Sequence, residues 1–526
     1  MPAAPRAWPS AAWGPTGPRT TFHHKGLTAI GPRARLPVLH GTSRPPPVTT
    51  SAVVLAAGEG RRMRSRRPKV LHEVAGRPML AHVLDVLAAL HRPPDPLAVV
   101  LGHGADEVEA AFHAGEIAWA PGPAARFAFA RQAERRGTAH AVLQAADTVA
   151  GRAEAVLVLY GDVPLVTAAT LGRLLAAHET HGGAVTFLTA TVDDPTGYGR
   201  VLRGPMGEIR GIVEEADASP AERLVREINA GVYVLRDSWA WSALRWLVPS
   251  ASGELYLTEL VGRALGAREH VEAVPADDAG EVRGVNTRAD LAAAEAVVRE
   301  RIRRRHLAAG VTMIAPESAW IDAGVAIGAD TVLWPDTYLL GRTEVGLGCV
   351  LGPGTLVRDS VLGDDVRVAH SVVEGAVVGR ASDVGPFAHL RPGTRLGEEV
   401  HVGNFGELKN AELGAGVRVG HFSYLGDATV GEWANIGAGT VTCNFDGLAK
   451  HATQIGRGAF IGSDTMLVAP VVVGDGARTG AGSVVTRDVP PGVTVVGVPA
   501  RPVQPADAAA AGADAAVPPD APAGPA

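Results

Sequence analysis

An apolar side chain recurs every sixth residue through the second half of the chain. Six residues fit neither the 3.6-residue turn of an α-helix nor the two-residue alternation of a β-strand. The period instead predicts a solenoid in which three short strands form each triangular coil, and each strand points one apolar side chain into the interior. The positions with this spacing are Ile327, Leu333, Leu339, Val345, Leu351 and Val357, and later Ile455, Ile461, Leu467, Val473, Thr479 and Val485.

The repeat occupies only part of the 526-residue chain, which is long enough for roughly two to four domains. Residues 1–51 contain six Lys or Arg, no Asp or Glu and many prolines, so we expect a disordered extension or a start codon assigned too early, rather than a transit peptide. Residues 503–526 are rich in Ala and Pro and are expected to be disordered. Between them we predict an α/β domain at 52–287, a linker helix at 288–310 and the solenoid at 311–502.

Composition argues against several classes of partner. The net charge of −6 with mixed signs gives no indication of nucleic-acid or membrane binding. No run approaches the 18 apolar residues of a membrane-spanning helix. Cys349 and Cys443 are too few for a disulfide framework or a four-ligand zinc site. We therefore expect a cytoplasmic protein in a reducing compartment.

In the front part of the chain, strongly apolar segments of strand length alternate with segments of helix length. Near-continuous apolar strands of this kind belong to a sheet covered on both faces, which predicts an α/β fold with mostly parallel strands. Ligands of such sheets bind beyond the carboxyl ends of the strands. The predicted strands are Ala52–Ala57, Leu97–Leu101, Ala155–Tyr160 and Ala184–Thr191, and the predicted helices are Pro78–Leu90 and Gly137–Ala146.

A glycine-containing loop, Leu55-Ala-Ala-Gly-Glu-Gly-Arg-Arg-Met63, follows the first of these strands. Gly58 and Gly60 free the loop so that backbone N–H groups can face a phosphate, and Arg62 and Lys69 add positive charge. The spacing matches neither the Walker pattern nor G-x-G-x-x-G. An ordinary strand-to-helix turn with solvated arginines is the alternative interpretation, and the full string with Pro68-Lys69 favours phosphate binding.

Two oxygen-bearing side chains end strands farther along the chain. Asp162 follows Tyr160-Gly161, and Asn286 ends Gly284-Val-Asn286. Mg²⁺ takes one or two protein oxygens beside the phosphates of a substrate, so this pair predicts a magnesium site. A turn Asp that caps its own backbone is the alternative for a lone Gly-Asp.

A long helix is predicted between the two parts. Arg288–Ala309 carries apolar residues among Ala, Glu and Arg, and Gly310 is placed to end it. Its Arg-rich end, Arg301 to Arg305, is interpreted as a solvated face favoured by the helix dipole rather than a nucleic-acid patch. A rigid spacer of this length predicts two distant sites, with the reaction intermediate diffusing between them.

The solenoid carries reactive side chains that a pure scaffold does not need. His421, in Gly420-His-Phe-Ser-Tyr-Leu-Gly426, is the kind of residue that takes a proton from an attacking amine near neutral pH. With 18 histidines in the chain, a surface histidine without a role is the alternative for any one of them. Glu407 is a candidate to orient His421. The other polar residues of the cluster are Arg391, Lys409, Tyr424, Asn435 and Asn444.

Residues 52–502 resemble the bacterial family of bifunctional N-acetylglucosamine-1-phosphate uridylyltransferases/glucosamine-1-phosphate acetyltransferases. The resemblance rests on the motifs above together with Thr196-Gly-Tyr-Gly-Arg200, Gly211-Ile-Val-Glu214 and Glu227-Ile-Asn-Ala-Gly231. It implies a Rossmann-like nucleotidyltransferase domain that binds UTP and N-acetylglucosamine-1-phosphate with Mg²⁺ held by Asp162 and Asn286. The implied substrate-binding positions are Leu55, Ala56, Ala57, Gly58, Arg62, Lys69, Gln132, Gly137, Thr138, Tyr160, Gly161, Asp162, Gly199, Glu214, Asn229 and Asn286.

The same resemblance implies a left-handed parallel β-helix that transfers an acetyl group from acetyl-CoA to glucosamine-1-phosphate. His421 matches the general base of the family, and a homotrimer formed through the β-helix is expected. The implied sugar-phosphate contacts are Arg391, Lys409, Tyr424, Asn435, Asn444 and Phe445, and the implied acetyl-CoA contacts are Ala438, Ser463 and Ala481. Neither cysteine stands in a nucleophile motif, so direct attack on the thioester is expected.

Three residues depart from the pattern of the family. His389 and Gly497 stand where members have arginine, and Phe445 replaces a tyrosine. These changes put individual contacts in doubt more than the activity. The segment from Asn444 to Lys450 interrupts the hexads and is predicted to be an extruded loop that reaches toward the cleft of a neighbouring chain.

Two other functions are compatible with this domain order. A monofunctional sugar-1-phosphate nucleotidyltransferase would use the β-helix only to assemble a trimer, but the cluster around His421 disfavours it. A non-enzymatic regulator would need no intact loop at Gly58 and Gly60 and no Asp162–Asn286 pair. The bifunctional enzyme is therefore the predicted function.

Overall fold

The computed structural model describes residues 48–119, 121–122, 125–250 and 253–503. The predictions of an extension over residues 1–47 and of a disordered tail over 504–526 lie outside the described residues. The first strand begins at Thr50, two residues before its predicted start, so Thr50 and Ser51 belong to the folded part of the chain.

The front part is a three-layer α/β structure around a mixed sheet. Its central strands run in the order β11-β7-β10-β6-β1-β4-β5, and β10 alone is antiparallel to its neighbours β6 and β7. The α/β class with mostly parallel strands is confirmed, and Leu97–Leu101 and Ala155–Tyr160 have the predicted bounds. The strands are β1 (Thr50–Ala56), β2 (Glu73–Val74), β3 (Arg77–Pro78), β4 (Leu97–Leu101), β5 (Phe127–Arg131), β6 (Ala155–Tyr160), β7 (Val185–Thr191), β8 (Arg200–Arg203), β9 (Ile209–Val213), β10 (Glu227–Arg236) and β11 (Val271–Pro275).

Helices cover both faces of this sheet, and two separate apolar cores form between the layers. Successive residues of β1 point alternately into the two cores, with Val54 in one and Val53 in the other. This is expected for a strand that is buried on both faces. No helix in the described part of the chain is long and apolar enough to cross a membrane. The helices are α1 (Met79–Ala88), α2 (Ala105–His113), α3 (Thr138–Gln144), α4 (Ala146–Val149), α5 (Ala168–His181), α6 (Asp237–Arg245), α7 (Glu259–Gly266) and α8 (Arg288–Ala308).

The back part is a left-handed parallel β-helix with three flat faces. Strands of successive coils stack in parallel, so each face is one long sheet, and the final strand β42 alone pairs antiparallel with β41 in the described part of the prism. The first face contains β12 (Thr312–Met313), β15 (Val332–Leu333), β18 (Val350–Leu351), β21 (Arg367–Val368), β24 (Asp383–Val384), β27 (His401–Asn404), β30 (Arg418–His421), β33 (Asn435–Ile436), β36 (Phe460–Ile461), β39 (Arg478–Thr479), β41 (Thr494–Val496) and β42 (Arg501–Pro502).

The other two faces are built in the same way. The second face contains β13 (Trp320–Ile321), β16 (Tyr338–Leu340), β19 (Leu356–Arg358), β22 (Val372–Glu374), β25 (His389–Leu390), β28 (Glu407–Lys409), β31 (Tyr424–Gly426), β34 (Val441–Cys443), β37 (Met466–Val468) and β40 (Val484–Val485). The third face contains β14 (Ala326–Ile327), β17 (Glu344–Val345), β20 (Val361–Leu362), β23 (Val377–Val378), β26 (Arg395–Leu396), β29 (Glu412–Leu413), β32 (Ala428–Val430), β35 (Thr453–Ile455) and β38 (Val471–Val473).

The six-residue period marks the inward side chains of these strands. Leu333, Leu339 and Val345 come from three successive faces of one coil, and each is buried. The predicted hexapeptide β-helix is therefore confirmed, with one apolar side chain from each strand in the interior of the prism.

Helix α8 joins the two parts and packs against both. Residues Ala294, Val298 and Ile302 belong to the same apolar core as the β-helix interior and as Val74 and Met79 of the front part. The helix is one residue shorter than predicted, and Gly310, with φ of +92°, follows it as predicted. At about 1.5 Å per residue its 21 residues span roughly 31 Å.

The prediction of a solvated Arg-rich end is wrong for part of that segment. Arg301 donates a hydrogen bond of 2.7 Å to the carbonyl of Leu165 in the front part, whereas Arg304 is exposed and pairs with Glu300. The end of α8 therefore binds the front domain along one side and faces solvent only on the other.

Candidate functional sites

The predicted nucleotide-site residues meet at the carboxyl edge of the front sheet. Leu55 and Ala56 end β1, Gln132 follows β5, and Asp162 follows β6. These strands are parallel neighbours with β4, so their carboxyl ends lie along one edge. The first site is therefore placed where α/β sheets bind ligands.

The loop after β1 has the shape that the sequence predicts. Gly60 has φ of +66°, and a Cβ there would lie 2.8 Å from Cβ of Lys69, so no other residue fits without displacing Lys69. Gly58 is exposed, and a Cβ there would meet nothing within 4 Å. The loop is thus packed against Lys69 on one side and open on the other.

Lys69 lies at the centre of this site. Its buried ammonium donates to the carboxylate of Asp162 and, at 2.7 Å, to Oδ1 of Asn286. One cationic nitrogen within reach of both oxygens shows that the two side chains converge on a single point. A carboxylate oxygen and an amide oxygen form a donor set that suits a hard divalent cation, so these residues fit the predicted metal site.

Asn286 is held by the start of α8. The backbone N–H groups of Asn286 and Thr287 both donate to Oδ2 of Asp290, at 3.0 and 2.8 Å, and the Thr287 side chain accepts from the backbone of Asp290. This capping box fixes the first turn of the helix. The second oxygen of the site therefore depends on the N-terminus of the helix that joins the domains.

A second group of predicted residues surrounds Tyr160. Gly199 accepts a 2.8 Å hydrogen bond from the backbone of Asn229, and a Cβ on Gly199 would lie 3.4 Å from Oε2 of Glu214. Gly231 has φ of +73°, and a Cβ there would lie 2.4 Å from the Tyr160 ring. The structure therefore brings Gly199, Glu214, Asn229 and Tyr160 together.

Burial changes the ionisation of this group. It raises the pKa of the Tyr160 hydroxyl, with further contributions from Glu214 and Asp162. Burial also raises the pKa of Glu214, against a 2.7 Å hydrogen bond that Glu214 accepts from Thr258. The Tyr160 hydroxyl, which forms a hydrogen bond with Thr138, thus remains neutral at neutral pH.

Gln132, Gly137 and Thr138 form a third group on the far side of β1. The buried Gln132 amide donates to the Gly137 carbonyl at 3.1 Å, and Thr138 Oγ1 accepts from the backbone of Leu257 at 2.9 Å. Gly137 has φ of +101° and begins α3. These hydrogen bonds hold a set of polar groups in fixed positions among the predicted substrate-binding residues.

Arg62 has no side-chain hydrogen bond or ion pair among the described residues. It lies exposed on a single 3-10 turn, Arg61–Met63, whereas the neighbouring Glu59 binds both Arg61 and Arg135. These two guanidiniums lower the pKa of Glu59 to about 2. Arg62 keeps a free charge at the open side of the loop.

The predicted acetyl-transfer residues lie at two corners of the β-helix. Asn404 and His421 end adjacent strands of the first face, in register with each other. Backbone hydrogen bonds from Gly439 to His421, from Asp464 to Ala438 and from Gly482 to Ser463 continue this corner into the next coils. His421, Ala438, Ser463 and Ala481 thus form one column, about 14 Å long at roughly 4.8 Å per coil.

His421 is exposed and is oriented by Asn404. Its Nδ1 lies 2.5 Å from Oδ1 of Asn404. Because an amide oxygen only accepts, Nδ1 carries the hydrogen and Nε2 presents its lone pair outward. The prediction that Glu407 orients His421 is wrong within one chain, because Glu407 accepts a 2.8 Å hydrogen bond from Arg391 instead.

A cluster of cations stands at the other edge of the second face. Arg391 follows β25, and Lys409 ends the adjacent strand β28. The pKa of Lys409 is lowered by a hydrogen bond with Lys450 and by the charges of Lys450 and Arg391. Arg391 pairs with Glu407, and the charge of Asp427 acts on Lys409, so three cations share two carboxylates here. A cluster with net positive charge is typical of an anion site. Sequence reasoning missed Lys450, although a lysine at the end of an interruption in the hexads was an available signal.

The segment after Asn444 projects from the coil as predicted. Asn444 donates to Asp427 at 2.6 Å and approaches Tyr424 over Gly426, where a Cβ would lie 2.4 Å from the Tyr424 hydroxyl and 2.7 Å from the Asn444 amide nitrogen. Leu448 at the tip is 96% exposed, and Phe445, which pairs with Lys450 at the base of the loop, is 60% exposed. Two apolar side chains in solvent are consistent with a loop that a second chain covers.

The remaining residues that the sequence analysis named lie apart from the cation cluster and the projecting loop. Asn435 is on the first face beside Arg418, outside the second face. His389 lies on the second face, with its Nε2 3.3 Å from Glu374. Gly497, with φ of +93°, is in the final turn of the prism. Within one chain, Asn435 therefore lies apart from the cation cluster.

Comparison with known proteins matches both parts of the chain. The family model for the MobA-like NTP transferase domain matches residues 52–228, and the bacterial transferase hexapeptide (six repeats) model matches residues 452–487. These matches agree with the two folds described above.

Full-length relatives contain both parts in the same order. The bifunctional protein GlmU of Heliobacterium modesticaldum is 48% identical over 447 residues, 85% of this chain and 95% of that protein. The proteins of the same name from Trichlorobacter lovleyi and Mycobacterium tuberculosis are 47% and 44% identical, over 84% and 86% of this chain and over 94% and 90% of their own lengths.

The cation cluster generates a prediction about Lys409. Replacing Lys450 by Ala removes the largest cause of the lowered pKa of Lys409, so we expect that pKa to rise toward the ordinary lysine value. NMR titration of isotopically methylated lysines measures it. Arg391→Ala is the matched control and should produce a smaller rise, because Arg391 contributes less. A Lys409 pKa that is the same in Lys450→Ala and in the wild type would contradict the described cluster.

Proposed function

The chain belongs to the family of the bifunctional protein GlmU, and we propose that its two sites make UDP-N-acetylglucosamine in two successive steps. The β-helix transfers the acetyl group of acetyl-CoA to the amine of glucosamine-1-phosphate. The front domain then joins the product to UTP and releases pyrophosphate. Membership of the family confirms the prediction of a nucleotidyltransferase and acetyltransferase in one chain, and we expect it to act in the cytoplasm.

The proposal for the front site rests on one observation. The oxygens of Asp162 and Asn286 converge on a single cationic atom beside a loop that is open to a phosphate. A nucleotidyltransferase needs a divalent metal at such a point, and we propose Mg²⁺ because it takes few protein oxygens. The metal, when bound there, neutralises negative charge on the phosphates.

Lys69 has two roles in this proposal. Without a metal its ammonium holds the Asp162 and Asn286 side chains in place. A divalent cation held by Asp162 and Asn286 would take the place of the ammonium, and the charge of Lys69 would then be available to the UTP phosphates. The backbone N–H groups around Gly58 and the exposed Arg62 supply further positive potential to the phosphorus under attack. No side-chain nucleophile takes part, because the sugar phosphate itself attacks.

The remaining front residues fix the two substrates. Gln132 and Thr138 present fixed polar groups for the uracil base. Glu214, Asn229 and the backbone around Gly199 face the amino sugar and the ribose. Holding both reactants in line supplies much of the rate enhancement of phosphoryl transfer.

In the β-helix, His421 removes the proton from the sugar amine. Nε2 is free to accept because Asn404 holds Nδ1 as the protonated nitrogen. The amine then attacks the thioester carbonyl, and the acetyl group passes to nitrogen as the coenzyme A thiolate leaves. Arg391, Lys409 and Lys450 bind the sugar phosphate, while the column of Ala438, Ser463 and Ala481 lies along the extended acyl carrier.

We further propose that the second face is the interface of a homotrimer. In the first four coils its outward side chains are Trp320, Tyr338, Leu356 and Val372, two of them aromatic. The matching residues of the third face are the smaller or charged Ala326, Glu344, Val361 and Val377. An exposed stack of Phe387, Phe405 and Phe422, with ring centroids 5.5 and 4.9 Å apart, adjoins His421 at the corner. A second chain of this protein covers both surfaces and brings Asn435 to the site.

Each half-reaction can be abolished separately. His421→Ala should lower acetyl transfer by about 10²- to 10⁴-fold, because it removes the general base, and should leave uridylyl transfer unchanged. Asp162→Ala should lower uridylyl transfer by more than about 10²-fold, because it removes the charged oxygen of the metal site, and should leave acetyl transfer unchanged. Separate assays of pyrophosphate release and of free thiol measure the two rates.

Controls for these variants come from the same elements. His401→Ala removes another histidine of the first face, paired with Asp383, and should acetylate at nearly the wild-type rate. If His421→Ala acetylates at the wild-type rate, then His421 is not the base. If Asp162→Ala keeps uridylyl transfer, the front site is misassigned.

The trimer proposal is tested by two matched charge insertions in neighbouring strands. Leu356→Glu on the second face should dissociate the assembly, because it places a carboxylate in an apolar interface, whereas Val361→Glu on the third face should leave it intact. Sedimentation velocity measures the masses. A wild-type monomer, or equal behaviour of the two variants, would contradict the assigned face.

A further inference from the structure

Two histidines and a glutamate meet on the front domain at the edge of the sheet opposite the nucleotide site. The amino ends of β7 and β11 lie there, with Val185 paired to Val271. His181 is the last residue of α5, which leads into β7, and His270 immediately precedes β11. Because β7 is parallel to β6, this edge is at the other end of the strands from Asp162.

The three side chains are close enough to share one ion. One ligand atom from each of His181, His270 and Glu272 lies within 4.8 Å of the others. Nε2 of His270 is 3.3 Å from Oε2 of Glu272, and the two imidazole rings are 5.4 Å apart. In a tetrahedral zinc site with bonds of about 2.0–2.2 Å, ligand atoms stand roughly 3.4 Å apart, so only a small adjustment of His181 is needed.

Rigid backbone holds these ligands in position. His270 and Glu272 are two residues apart along an extended segment, so their side chains project from the same face. The carbonyl of His270 accepts a 2.9 Å hydrogen bond from Ala184, which ties the α5–β7 connection to the start of β11. One turn before His181, the buried His178 binds Thr186 at 2.9 Å and anchors the end of α5.

The local charge also favours a cation. The site lies at the C-terminus of the 14-residue α5, where free carbonyls create negative potential. Two nearby guanidiniums offset part of this potential. Arg236 pairs with Glu269 and also donates a 3.4 Å hydrogen bond to the Gly182 carbonyl, and Arg203 pairs with Glu227 and also interacts with the charge of Glu272. In the described part of the chain, the Glu272 carboxylate lies 3.3 Å from Nε2 of His270.

We propose that His181, His270 and Glu272 form a binding site for one transition-metal ion of the Zn²⁺ class. Two imidazole nitrogens and one carboxylate oxygen are ligands that zinc prefers, whereas Mg²⁺ prefers oxygen alone. The bound ion clamps the end of α5 to the edge strand β11. That strand leads into the segment that ends at Asn286, so the clamp stabilises the domain from the side opposite the active site.

The test uses the full-length chain without a histidine tag, after treatment with a chelator. Calorimetric titration with ZnCl₂ should show one ion bound per chain, and Co²⁺ should give the visible absorption of a nitrogen- and oxygen-ligated site. His181→Ala and His270→Ala should each weaken binding by at least about tenfold, since loss of a ligand costs at least as much as loss of its supporting partner. Zn²⁺ should raise the thermal midpoint of the wild type and not of these variants.

Matched controls separate this site from other metal-binding groups. Asp162→Ala alters the nucleotide site and should bind Zn²⁺ as the wild type does, and so should His113→Ala, which removes another exposed histidine, at the end of α2. Glu272→Gln keeps the shape of the side chain and should also weaken binding, which serves if a histidine variant fails to fold. Absence of stoichiometric binding, or equal binding by His270→Ala and the wild type, would overturn the proposal.

Discussion

The buried guanidinium of Arg299 is the contact on which the arrangement of the two domains depends. It donates to Glu295 at 2.6 Å within α8, to the carbonyl of Ile321 at 3.1 Å, and to Asp322 at 3.4 Å in the first coil of the β-helix, and it lies 4.2 Å from the centre of the Trp320 ring. The other oxygen of Glu295 accepts a 2.6 Å hydrogen bond from Ala75 in the hairpin of β2 and β3. One charged group therefore joins the front domain, the helix and the prism. Buried charges are costly to leave unpaired, so none of these parts can move away alone without a large loss of free energy.

This constraint explains how two unrelated folds operate in one chain. The N-terminus of α8 fixes Asn286 in the nucleotide site, and its apolar side continues the core of the β-helix. Each site is then assembled from its own strands, the front one along a sheet edge and the back one along the corners of a prism. No residue of either site contacts the other among the described residues, so the acetylated intermediate is expected to leave one site and diffuse to the other.

The fold could be predicted from the sequence because the patterns that indicate it are local and periodic. The six-residue spacing of the inward apolar side chains indicates the three-stranded coil. The near-continuous apolar run from Ala155 to Tyr160 indicates a strand that is buried on both faces. The contacts between coils were harder to predict. Residues that touch across coils are about 17 positions apart, so Asn404 reaches His421, whereas Glu407 is on the next face and reaches Arg391. Lys69 was assigned to phosphate alone, because no sequence pattern reveals that its side chain reaches both Asp162 and Asn286.

We infer that the contacts of Arg299 make the front domain, α8 and the first coils one rigid unit. Hydrogen exchange of the Ala75 and Ala323 amides tests it most directly, because Ala75 donates to Glu295 and Ala323 donates to the Ala75 carbonyl. In Arg299→Ala both amides should exchange at least tenfold faster, since breaking a buried pair costs about 3–5 kcal/mol. Arg304→Ala, which removes an exposed arginine of the same helix, should leave them unchanged. Equal exchange in the two variants would show that the domains are held together by something other than this contact.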